Sequence, residues 1–204
     1  MDSNHLFLMD HATVHSNAVG ERTMASRIEG LLCDLSNEEL RQSPAAKFNS
    51  LAWLLWHMAR CEDVAVNTVI RNTAEVLDGD NWPGQLSVST RHIGTGDTYA
   101  EMVALGRNID IEALRAYRAA VGRETQAWAQ TVDFATLNGF ITVEDAHRAA
   151  LRGAFGPHAQ WVESLWADGK RTHAWILVWL AGGHNHSHIG EGYVIRGLLG
   201  HSVR

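Results

Sequence analysis

Apolar residues along this chain recur at steps of three and four, and no segment alternates convincingly with period two. That period is the signature of amphipathic helices and argues against a half-buried sheet. Four long stretches carry it. The first spans residues 10–35, with Val14, Ala18, Ala25, Ile28, Leu32 and Leu35 on one stripe. The second runs from a cap at Asn49 or Ser50 to about residue 76, with Leu51, Leu54, Leu55, Met58, Ala65 and Val69. The third covers about 110–132 through Ile111, Leu114, Tyr117, Val121 and Trp128. The fourth covers about 171–199, where Ile176, Leu180, His184, Glu191, Ile195 and Leu198 share a face. Shorter helices are expected at 99–106, 143–151 and 158–166. Residues 77–96, rich in Gly, Ser and Thr, read as a long loop anchored by Trp82. The expected fold class is all-α: a four-helix bundle with crossover connections and short extra helices, in one domain over residues 1–204.

Composition narrows the function classes. The chain has 204 residues, 46% of them hydrophobic, enough for one sizeable core. A net charge of −6 without a Lys/Arg-dense run lacks the electrostatic footprint of nucleic-acid binding. No uninterrupted apolar run is long enough to span a membrane, and the start shows no secretory signal pattern. The two cysteines, Cys33 and Cys61, fit no zinc-knuckle spacing, so a cytoplasmic protein with reduced thiols is expected. The chain is unusually rich in His, with 12, and Trp, with 8.

Those histidines carry the candidate chemistry. His184 and His188 stand four apart and face one way, whereas His186 points to nearly the opposite side. Two imidazoles one helical turn apart can hold one metal ion. His57, flanked by apolar residues in the second helix, needs a partner and completes a three-nitrogen set with them. Three protein ligands leave positions for water or substrate, the mark of a catalytic rather than a structural metal. Glu191, one turn beyond His188, is a candidate base or an acceptor that orients a ligand. Glu62 either orients a ligand or faces solvent, and Cys61 is a thiolate ligand or an inert small hydrophobe. A rival pair, His11 and His15, has the same four-residue spacing near the start of the first helix. In His184-Asn185-His186-Ser187-His188 an Asn stands where a zinc protease carries its general-base Glu, so that chemistry is not supported. Gly182-Gly183 falls inside the last helix, where each Gly is costly; either the helix breaks there or a neighbouring helix or ligand approaches closely, and the apolar period resuming in phase favours close approach.

Trp53–Glu62, with its Trp56-His57 pair and an acidic residue five after the His, resembles the DinB/YfiT-like superfamily of metal-dependent enzymes. So does His184–Gly200, an HxxxHxGE pattern followed by Ile195-Arg196-Gly197-Leu198-Leu199-Gly200. The stretches from Gly94-Thr95-Gly96 to Leu105 and Leu114–Tyr117 are similar to its actinobacterial-type branch. That superfamily includes mycothiol-dependent maleylpyruvate isomerases and bacillithiol transferases. The resemblance implies a crossover bundle, often dimeric, with the metal on His57, His184 and His188. It also implies a divalent transition metal (Zn, Ni or Fe), a low-molecular-weight thiol bound as thiolate, and transferase or isomerase activity on a small molecule. The alternative is a metal-binding or stress-associated bundle without turnover. A homodimer is expected, both from the resemblance and because so many Trp suit an interface.

Overall fold

The computed structural model describes residues 3–22 and 24–202. Among them every regular element is helical, apart from one isolated bridge between Phe140 and Thr172. Four helices form the bundle: Ser3–Val14, Leu51–Asp63, Ile111–Ala129, and a last one composed of His173–Val178, Trp179–Gly183 and His184–Leu198. Ser3–Val14 packs on the third and last helices, and Leu51–Asp63 packs on the same two. The first two helices therefore stand across the core from each other, which the long connection through residues 15–50 permits. No described helix is long and apolar enough to cross a membrane.

Leu51–Asp63 sits at the centre. Ser50 caps it, its hydroxyl accepting from the Trp53 amide at 3.2 Å, and all 13 residues of the helix are buried. A helix buried on every side must partner each polar group it carries. Arg60 donates to Asp63 (3.0 Å), Glu75 (2.7 Å), the Tyr117 hydroxyl (2.9 Å) and the Arg91 carbonyl (2.8 Å). Asp63 also takes the backbone amides of Val76 and Leu77, so this polar knot ties down the chain beyond the helix. Glu62 and His57 face two other clusters, described below.

The periodicity misplaces some boundaries. The first helix is Ser3–Val14, not residues 10–35; the chain then turns, and Ser26 caps a separate short helix, Arg27–Leu32. Thr23, inside the expected span, lies outside the described residues. Arg22 secures the intervening turn by donating to the Ser16 and Val19 carbonyls at 2.8 and 2.9 Å. Val19 and Leu35 are buried from outside any helix, and Ile28 and Leu31 from the separate short one, so apolar spacing there reflects burial rather than one helix. The second helix continues as a π-helix over Val64–Ile70, closed by an Arg71 amide to Val66 carbonyl bond of 3.0 Å, and stops short of residue 76. Its β-branched run is a poor fit to a regular α-helix. The expected loop 77–96 holds a short helix, Trp82–Leu86.

The last helix runs through Gly182-Gly183 as a π-turn over Trp179–Gly183, with the His184 amide bonded to the Trp179 carbonyl. π-turns inside α-helices are frequent at functional sites. Both glycines have close neighbours. A Cβ on Gly183 would stand 2.8 Å from the Trp179 ring, and one on Gly182 would stand 3.2 Å from Asp10 Oδ2.

Candidate metal centre

The fold brings His57 of the central helix against His184 and His188, which begin the last α-helical segment. His184 Nε2 lies 3.1 Å from His57 Nε2 and 3.1 Å from His188 Nε2. The rings meet edge to face, with centroids 4.4–4.9 Å apart. The opposite ring edges decide what these nitrogens can be. His57 Nδ1 faces the Ile93 carbonyl, which can only accept, so Nδ1 carries the proton. His188 Nδ1 faces Glu191 Oε2 at 2.8 Å and is a donor for the same reason. Neutral His57 and His188 therefore both present a bare Nε2 lone pair to His184. A single His184 proton can satisfy one of them and leaves the other lone pair facing an electron-rich neighbour. A shared cation removes that conflict. At metal–imidazole bonds of about 2.0–2.1 Å, nitrogens 3.1 Å apart subtend about 95–102° at one ion, between octahedral and tetrahedral values. The His57–His184 and His184–His188 nitrogen pairs are each spaced to hold one ion.

Electrostatics favour the neutral, ligating forms of His57 and His184. Burial is the main reason His57 is pushed down to about 4, with His188 adding to it. Burial also drives His184 far below the ordinary histidine value, helped by its two imidazole neighbours. Burial alone would raise Glu191, but hydrogen bonds from His188 and from Asn49 Nδ2 (2.7 Å) hold it below the usual carboxylate range. Both Glu191 oxygens are thus engaged, one aiming His188 and the other held by Asn49.

The surroundings are aromatic. Trp53 stacks on His57 with centroids 4.8 Å apart and donates Nε1–H to Asp97 at 3.0 Å. Gly94, with φ of +84°, lies under the Trp53 ring, where a Cβ would come within 3.1 Å. Trp179 stands edge-on to His184 at 6.3 Å, and Trp175 stacks on Trp179 at 6.1 Å. Those two indoles are each 42% exposed, and His184 and His188 are only partly buried, so the cluster borders solvent on this side. A cavity of about 230 Å³ lined by Lys47, Asn49, Asp97, Tyr99 and Met102 opens beside the Asn49–Glu191 pair.

A family model described as the DinB superfamily matches residues 22–191. The chain belongs to the DinB superfamily. A solved structure of a conserved protein from Enterococcus faecalis is 18% identical, with a TM-score of 0.68 over 98% of this chain and 99% of that one; at that identity the likeness concerns the fold alone. No curated protein matches.

Of the other candidate residues of this DinB-superfamily chain, Cys61 lies beside His57 and the rest fall elsewhere. His186 turns away from the cluster to Asp10 (3.0 Å) and Arg27 (2.6 Å). Cys61 Sγ lies 3.7 Å from His57 Nδ1 and 3.9 Å from Nε2, beside the ring and off the Nε2 lone-pair axis. Burial raises its thiol well above the ordinary value, which favours the protonated form, although by distance alone Cys61 groups with His57 and His184 as a set that could hold a metal. Glu62 neither orients a ligand nor faces solvent: it is fully buried between His11 and His15. Both rings of that pair are wholly inaccessible. Trp82, the anchor of the 77–96 segment, packs on Tyr117 in the core. Sequence reasoning missed Ile93, whose contribution is a backbone carbonyl and leaves no side-chain signal, and Asn49, which it weighed only as a helix cap.

Proposed function

We propose that this protein is a metal-dependent enzyme acting on a small molecule, with one divalent transition metal on His57, His184 and His188. The observation that carries the reading is the convergence of three Nε2 atoms, two of which have their Nδ1 protons fixed by Ile93 and Glu191. A metal held there would act as a Lewis acid and would keep a bound thiol as thiolate at neutral pH. The chain's own residues do the rest. Ile93 and Trp53 fix the ring plane of His57. Glu191, held by Asn49, aims His188, so its role is to position that ligand rather than to abstract a proton. Trp179 and Trp175 form an apolar wall on the solvent side, where a substrate would displace water. The partial exposure of His184 and His188 favours turnover over a sealed, purely structural metal. A low-molecular-weight thiol as co-substrate, transferase or isomerase chemistry, a cytoplasmic setting and a homodimer belong to the same reading. Exposed Val194 and Leu198 on the last helix are compatible with a partner copy.

Metal quantification across variants tests the site. His57→Ala, His184→Ala and His188→Ala should each strip most of the metal, and His186→Ala should not. Loss of metal in His186→Ala with retention in His184→Ala would refute the assignment. Thiol binding to the loaded protein by calorimetry, and light scattering for the dimer, test the finer parts.

A further inference from the structure

A second cluster mimics a metal site. His11 Nε2 lies 2.8 Å from Glu62 Oε1 and His15 Nε2 lies 2.9 Å from Glu62 Oε2, all three side chains fully buried. By residue type and distance, two imidazoles and a carboxylate suit a divalent ion. The far ring edges exclude it. Arg118 Nη1 stands 3.2 Å from His15 Nδ1, and a guanidinium only donates. His15 Nδ1 is therefore the acceptor, and the proton of the neutral ring sits on Nε2. Gln126 Nε2 lies 2.9 Å from His11 Nδ1 and 2.9 Å from the Leu8 carbonyl, and that carbonyl fixes which end of the amide is nitrogen. His11 consequently also carries its proton on Nε2. Both Nε2 atoms donate to Glu62 and have no lone pair for a metal. This is the reverse of His57 and His188, whose Nδ1 atoms face acceptors.

The network then continues toward the metal centre. Arg118 Nη2 donates to the Val14 carbonyl at 3.0 Å and to Asn185 Oδ1 at 2.7 Å. Asn185 Nδ2 donates to the Leu180 carbonyl at 3.0 Å, inside the π-turn that ends at His184. His184 needs such support more than the other two histidines. Its Nδ1 is buried without a hydrogen-bond partner among the described residues, so no contact on the ring's far edge sets its direction. Its aim depends on the backbone from which it projects.

Building on the metal reading above, we infer that His11, His15, Glu62, Arg118 and Asn185 form a proton-locked strut that takes no metal and instead holds the π-turn that aims His184. Arg118 and Asn185 are positioning residues. Partners that orient metal ligands typically change affinity by roughly 10- to 100-fold when removed. The strut acts one step further out, so the lower end of that range is expected.

The test titrates chelator-treated protein with Co²⁺, reading stoichiometry, affinity and the ligand-field spectrum, alongside the melting temperature of the metal-free form. Wild type should bind one Co²⁺ per chain, and His15→Gln should retain that single site. Asn185→Ala should weaken Co²⁺ about tenfold and alter the spectrum. Leu86→Ala, a core truncation in the short Trp82–Leu86 helix that packs on the third helix, should lower the melting temperature and leave affinity unchanged. Arg118→Lys is the second variant, since it keeps a cationic donor where Arg118→Ala would strand the buried acceptors of His15, Val14 and Asn185; it should fall between wild type and Asn185→Ala. A second Co²⁺ that is lost in His15→Gln would overturn the inference. So would Asn185→Ala with unchanged affinity and spectrum, which would leave the metal reading standing. Wild type that binds no Co²⁺, or binds it through His15 and not His188, would overturn both.

Discussion

Acidifying the metal-free protein should destabilise it through His15 in a way that one substitution can isolate. His15 is wholly buried, and that burial pushes it down to about 3 from an ordinary value of 6.5. Arg118 and His11 add to the depression, while Glu62 opposes it. Above pH 6.5 the imidazole is neutral in folded and unfolded chains alike. Between 6.5 and about 3 the unfolded chain takes up a proton that the folded chain refuses. Stability is therefore fully present at neutral pH and is lost as pH falls, by about 1.4 kcal/mol per unit. From pH 7.5 to 5 the His15 contribution is about 2 kcal/mol, a sizeable share of the roughly 5–15 kcal/mol that holds a domain folded. His57 acts in the same direction in chelated protein, so the assay must be differential. Urea unfolding in chelator at pH 7.5, 6.5, 5.5 and 5 should be compared between wild type and His15→Gln. The Gln amide can still donate to Glu62 but does not titrate. Wild type should lose about 2 kcal/mol more than the variant across the range. Parallel pH profiles would refute the assignment of His15 as a buried neutral donor.

Three further outcomes follow from the packing. Gly183→Ala should destabilise the protein and change its tryptophan fluorescence, because the new Cβ meets the Trp179 ring at 2.8 Å. The sign is diagnostic, since Gly→Ala in an open helix gains about 1 kcal/mol. Arg60→Met should cost about 3–5 kcal/mol in urea unfolding by stranding the buried carboxylates of Asp63 and Glu75, with metal stoichiometry unchanged in the folded fraction. Asn49→Ala should weaken metal binding severalfold while leaving the metal-free melting temperature nearly unchanged, because it frees Glu191 Oε1 at a half-exposed position; an unaltered affinity would show that Glu191 needs no second anchor.

Helical periodicity alone was enough to exclude sheet and to place three of the four bundle helices to within a few residues at most of their ends. It failed where burial occurs without a helix. Ile28 keeps helical spacing with Val14, yet the chain turns between them around Ser16 and Gly20. It also could not anticipate the π-turns. These widen the helix by one residue and depend on what packs alongside, here Asp10 and the Trp179 ring at Gly182 and Gly183.

The histidines divide in the same way. Spacing put His184 and His188 on one face and turned His186 away, because a helix fixes direction through its own pitch. The same spacing describes His11 and His15 equally well, and no local property of the sequence separates the two pairs. What separates them is the partner on the far edge of each ring. Arg118 and Gln126, donors that lie 103 and 115 residues along the chain, push the protons of His15 and His11 onto Nε2. The Ile93 carbonyl, 36 residues from His57, holds a proton on Nδ1 and leaves Nε2 bare. A tautomer is set by the nearest donor or acceptor in space, so only the tertiary structure could decide which histidines are free to ligate.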